Sequence, residues 1–76
     1  MSQPTSPLIL QLLSAVRARP GATSGELAEG ILANRHAVAA TLPEIEQAGG
    51  LIERGLPRTC SVANTRALTW HPVWRQ

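Results

Sequence analysis

TSGELAEGILANRHAVAATLPEIEQAGGLI, residues 23–52, is the stretch whose reading decides the fold. It opens on Thr-Ser-Gly-Glu, which puts Thr23 and Glu26 at capping-box spacing. The Thr23 hydroxyl accepts from a first-turn N–H while the Glu26 carboxylate reaches back to the Thr23 N–H. A short helix Ser24–Glu29 follows, burying Leu27 and Ala28. Gly30 loosens the chain, and Asn34 stands where it caps a second helix, Arg35–Ala48. Val38, Leu42 and Ile45 recur at steps of four and three, which is one apolar stripe along that helix. Gly49-Gly50 ends it with a residue free to turn left-handed.

Outward from that stretch, Pro7–Ala18 reads as a first helix, with Ser6 as its N-cap and Pro7 in the first helical position, where proline's missing N–H costs nothing. It carries Leu8, Ile9, Leu12, Leu13, Ala15 and Val16, with Leu10 on another side. Two readings stand: the helix is central to a very small core, or the surplus around Leu10 is a self-association surface. Arg19-Pro20-Gly21 terminates it, and Ala22-Thr23 forms a very short strand. Pro43 cannot donate to the Ala39 carbonyl and is expected to bend the second of the two later helices.

Beyond Gly50, Leu51–Arg54 reads as a strand and Gly55-Leu56-Pro57 as an irregular crossing or bulge. A strand resumes over Thr59–Val62. Ala63-Asn64-Thr65-Arg66 is the turn, with Asn64 left-handed. Ala67–Trp70 returns, with Leu68 and Trp70 on one side and Ala67 and Thr69 on the other. His71-Pro72 ends the strand. The domain thus spans residues 7–72, with tails at 1–6 and 73–76.

Leu27-Ala28, Val38 ten residues on, Leu42, Ile45 and Gly49-Gly50-Leu51-Ile52-Glu53-Arg54 form a pattern that resembles the core of bacterial winged-helix repressors, of the multiple-antibiotic-resistance and arsenical-resistance types. It also resembles the small winged-helix proteins of phages and prophages. The resemblance covers the chain after Pro7 and departs from the usual pattern at Leu32, where the turn commonly has glycine, and at Pro43. It implies an α+β fold: a winged helix-turn-helix with a three-helix core and a C-terminal β-hairpin wing. It further implies a homodimer on an inverted repeat.

Seventy-six residues make one small domain with a marginal core, so association that buries more surface is expected. The formal charge of +2 matters less than its distribution. Residues 1–25 carry Arg17 and Arg19 and no acid; residues 26–53 carry Glu26, Glu29, Glu44, Glu46 and Glu53 against Arg35; residues 54–76 carry Arg54, Arg58, Arg66 and Arg75 and no acid. Positive charge therefore gathers at the end of the first helix and in the wing. Arg17 and Arg19 suit the last-turn carbonyls of their own helix.

With Val38 turned inward, His36, Ala39, Ala40, Pro43 and Gln47 face outward, and Arg35 flanks them. The residues expected at a major groove are Asn34, Arg35, His36, Ala39 and Ala40. Arg35 is suited to read guanine in bidentate fashion, and an alanine methyl to rest on a thymine methyl. The alternative is that Arg35 and His36 are simply solvated residues of a first turn. Arg58 and Arg66 are expected to meet phosphate or a narrow minor groove, against the alternative of ordinary solubility charge on a hairpin. Trp70 is expected in the core, and Trp74 in the tail, against the first helix or a partner.

No nucleophile–base motif surrounds Cys60, His36 or His71, and no Gly-rich loop cradles a phosphate, so an enzyme is not expected. Cys60 reads as a small buried hydrophobe, with no disulfide, metal or other cofactor. The apolar run Leu8–Leu13 is too short to span a membrane, and a cytoplasmic protein is expected. Two functions follow. One is sequence-specific binding of double-stranded DNA by a small transcriptional regulator. The other is a winged-helix protein-interaction module, a phage-type accessory protein docking on a host or replication protein.

Overall fold

The computed structural model describes residues 7–49 and 51–73. The cap expected at Ser6, Gly50 of the Gly49-Gly50 pair expected to end the later helix, and Trp74 and Arg75 of the C-terminal tail lie outside the described residues. In chain order the elements are α1 (Pro7–Ala18), β1 (Ala22–Thr23), α2 (Ser24–Gly30), α3 (Arg35–Gly49), β2 (Ile52–Arg54), β3 (Arg58–Thr59), β4 (Arg66–Ala67) and β5 (Thr69–Pro72). The result is a small α+β fold of three helices and antiparallel strands. Two of the helices run one residue past their expected ends.

The capping box forms as read. Thr23 is extended (φ −83°, ψ 167°), its hydroxyl accepts from the Glu26 N–H at 3.3 Å, and Glu26 Oε1 accepts from the Thr23 N–H at 3.2 Å. α2 closes in a Schellman arrangement: the Ala33 N–H donates to the Ala28 carbonyl at 2.8 Å and the Leu32 N–H to Glu29 at 3.3 Å. That closure needs a left-handed residue, and Leu32 supplies it at φ +57° with its side chain 93% exposed. Asn34 caps α3, its Oδ1 accepting from the His36 and Ala37 N–H groups at 2.8 and 3.1 Å. α3 continues through Pro43 without a break in its helical run.

Leu12 and Val16 of α1, Leu27 and Ala28 of α2, and Val38, Leu42 and Ile45 of α3 converge with Ile52 and Trp70 in one core. This is the apolar stripe expected of α3, with Trp70 buried as expected. Roughly 1.5–3 kcal/mol per fully buried large side chain makes this cluster the main source of stability.

A three-stranded antiparallel sheet in the order β1-β5-β2 covers one side of the core, with Ala22 opposite Trp70 and Glu53 opposite His71. β3 and β4 form a separate two-stranded hairpin, Thr59 opposite Arg66. The return strand expected over Ala67–Trp70 is therefore two strands broken at Leu68. At that break the chain leaves one sheet for the other, so the alternation is interrupted: Thr69 and Trp70 are both buried, and Leu68 is exposed. The strand expected over Thr59–Val62 stops at Thr59. Cys60 instead closes the hairpin loop, donating its N–H to the Thr65 carbonyl at 2.7 Å and accepting from the Asn64 N–H at 2.8 Å. Asn64 is left-handed at φ +56°, as read, in a turn that begins three residues earlier than expected.

Candidate nucleic-acid interface

The N-terminal half of α3 presents Arg35, His36, Ala39 and Ala40 to solvent, opposite the fully buried Val38. No carboxylate lies along α3 before Glu44. Asn34, also exposed, commits its side-chain oxygen to the cap, so its role in positioning the helix precedes any contact it makes. Arg35 and Arg66 have no ion-pair partner among the described residues. The Arg66 guanidinium only approaches the Pro57 carbonyl, at 3.4 Å. Arg66 lies between Thr65 and Ala67, which line one wall of a cleft of about 330 Å³. Ser24, Gly25, Arg35, His36, Ala39, Cys60 and Ala63 line the rest.

Arg58 is placed differently from the expectation. Its guanidinium turns inward onto Glu26, with Nη1 donating to Oε2 at 3.0 Å and Nη2 to Oε1, while Nε donates to the Gly21 carbonyl at 3.1 Å. The Ser61 N–H and hydroxyl donate to the same carboxylate at 3.0 and 2.8 Å. Glu26 is 4% exposed, so a buried charge is met from β1, β3 and the hairpin loop at once. The Arg58 hydrogen bonds, then the Ser61 amide, hold its carboxyl far below the usual carboxylate range. Arg58 is thus the fastening of the hairpin, with its donors directed at protein acceptors rather than at a phosphate.

Arg54 is also engaged. It donates from Nε and Nη2 to Glu46 Oε1 at 2.9 and 2.7 Å, and its guanidinium stands 5.5 Å from the centre of the Trp70 ring. Two of the four C-terminal arginines therefore neutralise helix glutamates, and the basic block is thinner in three dimensions than in sequence.

The cleft owes its shape to small residues. A Cβ on Gly25 would lie 3.0 Å from Cys60 Sγ, so glycine lets the hairpin loop close on α2, while Arg35 Cδ, 3.8 Å from that position, packs alongside. Cys60 is 1% exposed and accepts from the Thr23 hydroxyl at 2.9 Å. Burial pushes its thiol pKa up, but that hydrogen bond and those of the Ala63 and Val62 amides outweigh it and bring the thiol below its ordinary value. The sequence reading missed Gly25, Glu26 and Ser61 as the residues that set the hairpin on α2. The available signal was Glu26 itself, a capping-box acid with one oxygen left to satisfy.

No family model, curated protein or solved structure matches this chain. Among the described residues, no helix is long and apolar enough to cross a membrane.

Proposed function

We propose that the chain is a winged helix-turn-helix that binds double-stranded DNA as a small transcriptional regulator, with α3 as recognition helix and β3–β4 as wing. The observation that carries this reading is the acid-free, exposed N-terminal face of α3, flanked by Arg66 on the neighbouring hairpin. The element order supports it: a helix, a short strand, two helices across a tight turn, then strands that return beside β1. α3 enters a major groove by its first two turns. Ala39 and Ala40 allow close approach to the bases, His36 donates to base or phosphate, and Arg66 holds the backbone. A homodimer would place two such helices on an inverted repeat, with the 57%-exposed Leu10 of α1 at the joint. Such a regulator works in the cytoplasm.

The test is binding to a random-sequence duplex at 50 and 200 mM salt. Affinity is expected to fall steeply with salt, with a log–log slope of about −0.9 per phosphate contacted, and to weaken on Arg66→Ala. Absence of binding at low salt sinks the reading. A second reading, a protein-docking module, is favoured by the exposure of Leu32 (93%) and Leu56 (85%) at two loop tips. It predicts a partner whose binding survives Arg66→Ala and fails on Leu32→Ser or Leu56→Ser.

A further inference from the structure

We infer that the cleft between α2, the first turn of α3 and the hairpin loop is a seat for a single phosphodiester, and that Arg35 clamps this phosphate instead of reading a base. The inference rests on the DNA reading for the identity of the partner.

The direction of the Arg35 stem is the first observation. Its Cδ lies 3.8 Å from the place a Gly25 Cβ would occupy, so the side chain leaves α3 towards α2 and the hairpin. It enters the wall of a cleft that it shares with Ser24, His36, Ala39 and Thr65, where α3 meets α2 and the hairpin loop.

The chemistry of the lining is the second. One guanidinium, one imidazole and two hydroxyls supply donors, and no carboxylate is among the lining residues. The nearby acid, Glu26, spends its oxygens on Thr23, Arg58 and Ser61, so it does not compete for Arg35. The cleft is open to solvent on its outer side, so a backbone phosphate can enter it. Arginine's planar fork matches two phosphate oxygens. An apolar ligand would leave those donors unsatisfied.

The test compares wild type, Arg35→Ala and Arg35→Lys on a panel of duplexes that differ in sequence, alongside a titration of wild type with a dinucleoside monophosphate followed by amide chemical shifts. Where wild type binds duplex, the panel decides. A phosphate seat predicts that Arg35→Ala weakens every duplex by a common factor of about ten and lowers the salt slope by about one, with part of the loss restored by Arg35→Lys. A loss confined to duplexes with guanine at one position, or no loss, overturns the proposal. Where wild type binds no duplex, the DNA reading fails and the small phosphodiester decides. Shifts gathered at Ser24, Gly25, Arg35 and Thr65 and absent in Arg35→Ala then uphold the seat for another phosphodiester ligand. No such shifts overturn it.

Discussion

The Glu26 carboxylate and the Arg58 guanidinium, 32 residues apart in the chain, meet through two donors and fasten the β3–β4 hairpin onto the first turn of α2. Glu26 is buried, whereas the Arg58 side chain keeps 45% of its exposure, so the two ends of the pair are not equivalent. Removing the arginine leaves a buried carboxylate with fewer donors, which costs more than losing a surface pair. Arg58→Ala is therefore expected to destabilise the fold, by less than the full cost of breaking a buried pair because solvent still reaches Arg58. The melting temperature should fall measurably. Thermal unfolding followed by circular dichroism measures it, and a change under 2 °C would show that the hairpin is held by other contacts.

The same carboxylate makes stability pH-dependent with a definite sign. Glu26 is held far below the usual range in the folded state and has an ordinary value, about 4.3, when unfolded. Above that value both states are ionised and the full contribution is present. As pH falls through it, the unfolded state takes up the proton first and stability declines. Glu46, lowered chiefly by its hydrogen bond from Arg54, acts in the same direction from an exposed position. The melting temperature is expected to be level from pH 7 to about 5 and to fall below that. Glu26→Gln should be less stable at pH 7 and lose most of the acid slope. An unchanged slope in that variant would assign the acid sensitivity to other groups.

The local parts of this fold are legible in the sequence because each is settled within a turn or two of chain. Thr23 and Glu26 are three residues apart, and so are Leu42 and Ile45, so spacing alone places the cap and the stripe of α3. Arg58 could not be read that way. Its partner is set by how a hairpin folds back across α2, and a linear charge count registers it only as one more cation in a basic block. Leu68 failed for a related reason. Alternation assumes one continuous strand, and the switch between two sheets at that residue breaks the period. Of the candidate interface, the exposure of Arg35, His36, Ala39 and Ala40 followed from the helical stripe, whereas the cleft beside them depends on Gly25 and Cys60, which come together only in three dimensions.

Gly55 sits where the chain leaves β2, its N–H donating to the Thr69 carbonyl at 2.8 Å. A Cβ there would lie 2.5 Å from His71 Nε2 and 2.6 Å from Thr69 Oγ1, closer than any real contact. Thr69 cannot easily yield, because its hydroxyl donates to the Leu56 carbonyl at 3.0 Å and meets His71 Nε2 at 3.0 Å. Gly55→Ala is expected to destabilise by about 1–3 kcal/mol through overpacking. Chemical denaturation reads the loss, and a midpoint equal to wild type would mean that the His71 ring swings aside at no cost.

Leu32 offers the opposite case, a position where removing a side chain should stabilise. Its backbone is left-handed at φ +57° because the Schellman closure of α2 requires it, and its side chain is 93% exposed, so little packing offsets the strain. A left-handed conformation costs an ordinary residue about 1–2 kcal/mol. Glycine removes that cost but gives back some of the gain, since it is freer in the unfolded chain. Leu32→Gly is therefore expected to gain about 0.5–1 kcal/mol, and Leu32→Asn, which tolerates the left-handed region, somewhat less. A shift of the denaturant midpoint to higher concentration without a change in slope would record this. The same variants also separate the two functional readings. A strained, solvent-facing leucine at the tip between α2 and α3 is costly to fold and useful only if something apolar covers it. DNA affinity unchanged in Leu32→Gly leaves the residue a mere imperfection of the turn. Loss of a protein partner's binding alongside the gain in stability would instead make the leucine part of a docking surface.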